Sequence, residues 1–190
     1  MQESHKRVQW VYESTSNKEL EERYDQWASD YDKDLAEEFE WNSPQNSAAV
    51  FAKHVDKSAK ILDAGAGTGL VGECLAQAGY GNIVAMDLSL GMLEEAKGKN
   101  VYSAFHQMAL GGALEFATDE FNAVISVGVF TKGHAPPSAF DELVRITKPG
   151  GVIVFSLRVD TYETDGFKEH QTDLETSGKW KLAEITEQFQ

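Results

Sequence analysis

The residues best suited to chemistry lie between Asp63 and Asp87. Gly65, Gly67 and Gly69 alternate with Ala66 and Thr68, soon after the short apolar run Ile61-Leu62. Glycine lacks a Cβ, so a ligand can lie against bare backbone at such a turn. A stripe of Leu70, Val71, Cys74, Leu75 and Ala78 follows at helical spacing and stops at Gly79. The N-terminus of that helix is expected to offer free N–H groups. In a dinucleotide fingerprint the third small residue would stand at Leu70, whereas here the glycine comes early, at Gly69. Asp63 adds a carboxylate at the strand's exit, which would repel a pyrophosphate and suits a ligand bearing cationic groups. The next apolar run, Ile83 to Met86, leads into Asp87, and an acid there can accept hydrogen bonds from both ribose hydroxyls. Together these features favour an adenosyl ligand without a pyrophosphate.

Further candidates lie elsewhere in the chain. His134 sits on the stretch Phe130 to Ala135, after the buried run Phe121 to Val127. It reads either as a general base or substrate clamp, or as an exposed loop histidine. Arg158 and Tyr162, after a fifth apolar run, read as acceptor-pocket or surface residues. Tyr24 and Tyr31 stand two helical turns apart on one face, so their hydroxyls can reach a bound carboxylate. The alternative there is a plain amphipathic helix with its aromatics in the core. The five histidines have no metal-ligand spacing, and the single cysteine, Cys74, falls on a buried stripe, where packing explains it.

These residues need a frame. Residues 1 to 18 are polar, and Glu19 to Phe39 reads as one or two helices carrying Leu20, Tyr24, Trp27, Ala28, Tyr31 and Leu35. A turn at Trp41 to Pro44 precedes a helix from Gln45 to His54. Ser89 is placed to cap the helix bearing Met92 and Leu93. Tyr102 to Met108 is expected as a third strand, Phe121 to Val127 as a fourth and Val152 to Leu157 as a fifth, with a helix around Phe140 to Ile146. Strands and helices alternate at short intervals, which predicts a single α/β domain with a doubly wound, mostly parallel sheet and helices on both faces. A ligand then belongs at the carboxyl ends of strands one and four, placing Gly65 to Gly69 beside Val127 and Gly128, with Asp87 and Leu88 over ribose and adenine.

The motifs Leu62-Asp63-Ala64-Gly65-Ala66-Gly67-Thr68-Gly69, Met86-Asp87-Leu88-Ser89, Met92-Leu93 and Lys148-Pro149-Gly150-Gly151 resemble those of Rossmann-like S-adenosylmethionine-dependent methyltransferases. Leu70-Val71-Gly72 and Val127-Gly128 narrow the resemblance to the Williams–Beuren-region methyltransferase-like branch. It covers Tyr24 to Phe189. It implies S-adenosylmethionine as cofactor, held by Tyr24, Tyr31, Asp63, Gly65, Ala66, Gly67, Gly69, Asp87, Leu88, Met92, Met108, Ala109 and Val127. It implies residues 1–43 as a helical lid or extension. The family's acid after strand three is missing; Gln107, or backbone groups of Met108 and Ala109, stand in its place. Such enzymes end on an antiparallel strand that is expected to be missing here. A six-stranded sheet is expected instead, its late edge covered by Trp180 to Phe189 or used in a homodimer. The implied activity is methyl transfer to a small-molecule acceptor, with His134 as the catalytic candidate; a non-catalytic cofactor sensor of the same fold is the alternative.

A net charge of −14 opposes binding to a phosphate backbone, so no nucleic-acid partner is expected. No apolar run reaches the roughly 18–20 residues of a membrane span, and the start has no signal core. A cytoplasmic monomer or homodimer is the expectation.

Overall fold

A computed structural model describes residues 2–38 and 41–188. Three helices come first: α1 (Gln2–Tyr12), α2 (Asn17–Glu38) and α3 (Ser43–His54). The alternating part follows as β1 (Ile61–Ala64), α4 (Leu70–Gln77), β2 (Ile83–Asp87), α5 (Leu90–Gly98), β3 (Ala104–Gln107), β4 (Phe121–Phe130), α6 (Ala139–Ile146) and β5 (Thr147–Leu157). Two short helices, α7 (Val159–Thr164) and α8 (Phe167–Thr176), close the described structure.

The five strands form one sheet in the order β3-β2-β1-β4-β5, with every pairing parallel. Helical layers cover both faces, which is why the inner strands read as continuous apolar runs rather than alternating ones. Ile61, Ile83, Ala123 and Ile125 turn to one side, against Phe51 of α3 and Leu75 of α4. Their neighbours Leu62, Val84, Met86 and Val124 turn to the other, against Phe140 and Leu143 of α6 and Phe167 of α8. The period-two alternation of a strand thus feeds two separate cores.

The sheet has five strands, not the six expected. The alternation that begins at Trp180 does not become a strand among the described residues, and Phe189 lies outside them. Trp180 packs its ring parallel to Phe155 of β5, with centroids 6.1 Å apart, and against Phe140. Beyond it Leu182 and Ile185 are 51% and 78% exposed, so the pattern buries no apolar face. Glu184 instead bonds Lys53 and His54 at the end of α3, at 2.6 and 2.7 Å. Other boundaries also move. The polar start forms α1, whose Val11 is buried with Leu20 and Trp27 of α2. Ser43 and Pro44 lie inside the first turn of α3, where proline's missing N–H costs nothing.

Candidate functional site

β1 lies between β2 and β4, so the chain's course reverses around it and opens a crevice at the carboxyl ends of these strands. A cleft of about 700 Å³ lies there. Tyr24 and Tyr31 of α2, Gly65, Asp87 and Leu88, Met92, Met108 and Ala109, Val127 and His134 all line it. Ten residues singled out from sequence, spread over 110 positions, therefore meet in one cavity.

The glycine turn is built differently from the expectation. Gly65, Gly67 and Gly69 all have positive φ, at 84°, 55° and 92°, a region that other residues enter with strain. Their N–H groups are not left free. Those of Gly65 and Ala66 donate to the Met86 carbonyl at 2.7 and 2.9 Å, and that of Gly69 to the Ala66 carbonyl at 2.9 Å. The Gly67 N–H donates to Asp87 Oδ2 at 2.8 Å. Through these bonds the turn is stitched to the end of β2. A Cβ at Gly65 would clash with Val129 Cγ2, whereas one at Gly67 would point into open space.

Asp87 is half-buried, and its other oxygen accepts from the Ser89 N–H at 2.9 Å. Burial pushes its pKa up and the two backbone donors pull it back. A carboxylate has about four acceptor positions, so two remain for hydroxyl donors in the cleft. Ser89 caps α5 as its sequence position suggests, its Oγ accepting from the Met92 N–H at 3.0 Å.

Asp63 does not line the cleft. It is fully buried behind the glycine turn, with Oδ2 accepting from the Tyr102 hydroxyl at 2.7 Å. Oδ1 has no partner, and burial pushes this carboxyl up to about 7. Ala66, Gly67 and Gly69, also read as cofactor-binding, do not line the cavity either; of the glycine turn only Gly65 does. Gln107 is spoken for, its amide nitrogen donating to the Leu88 carbonyl at 3.0 Å and to Glu21 at 2.8 Å. Of the groups that stand where the family's acid is missing, Met108 and Ala109 are the ones at the cavity. Arg158 forms an exposed bidentate pair with Asp160, and Tyr162 packs on the core beneath α6.

His134 is half-buried, and desolvation holds its pKa below the usual histidine value. Its Nε2 lies 2.9 Å from the Tyr24 hydroxyl and its Nδ1 3.1 Å from the Lys132 carbonyl. The Tyr12 ring meets it edge-on, with centroids 5.2 Å apart. These contacts exclude the reading of His134 as a free surface histidine.

Sequence reasoning missed the ties that seat α2. Asp25 accepts from the Ser89 hydroxyl and from the Gly91 N–H, the latter at 2.8 Å. Asp32 accepts from the Thr68 hydroxyl and from Lys99, at 2.9 Å, while Lys99 also holds Glu73. On a helix rich in acids, nothing local distinguishes these two carboxylates from their solvated neighbours.

The fold agrees with the relatives of this chain. Residues 62–155 match the family model described as a methyltransferase domain. Human Methyltransferase-like protein 27 is 32% identical over 165 residues, covering 83% of this chain and 66% of that protein. A demethylmenaquinone methyltransferase of Renibacterium salmoninarum is 41% identical over 99 residues, which is 50% of this chain and 39% of the relative. The chain thus spans only part of the length of both. A TehB-like methyltransferase of Corynebacterium glutamicum superposes with a TM-score of 0.61 at 18% identity, over 80% of this chain and 82% of that structure, a likeness of fold. With its all-parallel sheet, its turn stitched to β2 and a methyltransferase-domain match that runs from β1 into β5, this chain belongs to the Rossmann-like S-adenosylmethionine-dependent methyltransferases.

Proposed function

We propose that this protein transfers a methyl group from S-adenosylmethionine to a small-molecule acceptor in the cytoplasm, as a monomer or homodimer, with α1 and α2 as the lid over the cofactor. The observation that carries this reading is the single cleft in which Asp87, the glycine turn, two tyrosines of α2 and His134 converge. The residues fit the cofactor. Asp87 is oriented by two backbone N–H groups and keeps acceptor positions for ribose hydroxyls. Open space above Gly67 leaves room for the ligand's body. The flat, apolar surface of Leu88, Met92, Met108 and Ala109 suits a base. Tyr24 and Tyr31 supply hydroxyl donors for a carboxylate.

When bound, the cofactor supplies an activated methyl on a sulfonium, so the protein's task is position and a dry site. α2 closes the cleft and excludes water. His134 is neutral at ordinary pH because burial opposes its charge, and a neutral imidazole can take a proton from an acceptor. The cleft's lining is mostly apolar with a few convergent polar groups, as small-molecule sites are, and the charge of −14 disfavours polyanions.

The test is incubation of the protein with methyl-labelled cofactor and a fractionated metabolite extract. Labelled product that needs Asp87 supports the reading; cofactor binding with no product in any fraction would return the non-catalytic sensor. With the acceptor in hand, His134→Ala should lower kcat about 10²-fold or more while cofactor Kd changes little, the split expected for a base.

A further inference from the structure

The Tyr24 hydroxyl stands between two possible partners. It lines the cleft beside Tyr31, and its oxygen lies 2.9 Å from His134 Nε2. The direction of that bond follows from the other side of the ring. His134 Nδ1 lies 3.1 Å from the Lys132 carbonyl oxygen, which can only accept. In the neutral ring Nδ1 therefore carries the proton, Nε2 bears the lone pair, and Tyr24 donates to it. A phenol has one proton to donate. Tyr24 can give it to His134 or to an anionic group in the cleft, not to both. The imidazole would keep its place after losing this bond, because Tyr12 packs edge-on against it and Lys132 holds Nδ1.

We propose that Tyr24 is a positioning residue that caps the lone pair of His134 Nε2 while the cleft is empty, and turns its hydrogen bond to the cofactor's carboxylate on binding. His134 is thereby freed to accept a proton only when the cofactor is seated. The inference rests on the functional reading above. It makes binding ordered: an acceptor that arrives first meets a histidine whose lone pair is already taken. Burial supports the donor role, since it holds the Tyr24 phenol well above its ordinary pKa and so keeps it protonated.

The experiment follows the imidazole nitrogens of ¹⁵N-histidine-labelled protein by NMR, above the pKa of His134. Two probes are titrated: S-adenosylhomocysteine, which keeps the carboxylate, and 5′-methylthioadenosine, which has the same nucleoside and no amino acid. In the free protein the Nε2 resonance should carry the upfield displacement of a hydrogen-bonded lone pair. S-Adenosylhomocysteine should move it downfield to the unbonded position, and methylthioadenosine should leave it in place. In Tyr24→Phe, which keeps the ring stacked beside Trp27, the resonance should already be at the unbonded position and S-adenosylhomocysteine should not move it. Calorimetry should show that variant binding S-adenosylhomocysteine about tenfold more weakly, with methylthioadenosine affinity within about twofold of wild type. An Nε2 resonance that does not respond to bound S-adenosylhomocysteine, or responds equally to both probes, overturns the proposal and leaves the cofactor site standing. Failure of both probes to bind overturns the site and the proposal together.

Discussion

The cleft has two walls made by different means. The wall formed by β1, the glycine turn and β2 is held by main chain: N–H groups of Gly65, Ala66 and Gly67 are tied to Met86 and Asp87 at 2.7–2.9 Å. The wall formed by α1 and α2 is held by side chains. Val11, Leu20 and Trp27 make a small core of their own, which meets the rest of the molecule through Leu88, and Asp25 and Asp32 pin it to α5 and the glycine turn. Main-chain bonds inside a sheet break only when the sheet does. A few carboxylate bonds at a partly exposed seam can break while the sheet stays intact. On the proposed function, the first wall would fix the nucleoside and the second would open and close over it.

That comparison can be broken most sharply at Gly67. A Val side chain there would stand in the open space beside the turn that the proposed ligand would occupy, and would be strained at a φ of 55°. Gly67→Val should weaken S-adenosylhomocysteine by at least about a hundredfold, while hydrogen exchange in α2 remains as in wild type. Asp87→Ala comes next. Each charge-assisted bond to a ribose hydroxyl contributes about 1.5–3 kcal/mol, so calorimetry should show at least a tenfold loss. Unchanged affinity would take the ribose away from Asp87.

The second wall is tested by Asp25→Asn combined with Asp32→Asn. Affinity should fall only several-fold. Amide exchange should speed up in α1 and α2 and stay slow in β1, β2 and β4. Equal loss of protection in both walls would mean that they form one cooperative unit. The smallest effect belongs to Asp63, which faces neither wall. Its carboxyl is pushed up to about 7, first by burial and then by repulsion from Asp87, with the Tyr102 hydroxyl acting in the opposite direction. The folded-state pKa is raised above the unfolded value of about 3.9, so this group's contribution to stability is full below that value and is lost as pH rises through 7. Asp63→Asn keeps the acceptor for Tyr102 and cannot ionise. Thermal melts from pH 4 to 8 should show a flatter decline than wild type, with cofactor affinity nearly unchanged.

Much of the first wall was legible from sequence. The run Ile61 to Ala64, the alternating glycines and the stripe from Leu70 act within a few residues, through φ preferences and periodicity, and the structure forms strand, turn and helix there, though the turn's N–H groups and the Asp63 carboxylate do not face the cleft as read. Ser89 as an N-cap is local in the same sense. The second wall was legible only in outline. Helical spacing found α2 and put Tyr24 and Tyr31 on one face, but a period says nothing about which acids beside that face will meet Thr68 or Lys99. The stretch after Trp180 shows the converse. Its alternation suits a strand, yet past the Trp180 ring, which packs on Phe155 and Phe140, Leu182 and Ile185 meet no apolar surface to cover, and that is decided only in the assembled molecule.

By itself the sequence determined the strand–turn–helix unit around Gly65 to Gly69, the acid at the end of the second strand and a parallel order with buried strands. Each depends on dihedral preferences and on apolar periods carried by neighbouring residues. Only the tertiary structure decided that the N–H groups of Gly65 and Gly67 turn inward to Met86 and Asp87, that Asp63 is sealed behind the turn and that Tyr24 meets His134. The Tyr24–His134 bond joins residues 110 positions apart, and its existence depends on how α2 lies across the ends of β1, β2 and β4. That angle is set by the small aromatic core and the two carboxylate ties acting together, and no stretch of chain short enough to show a period contains them all.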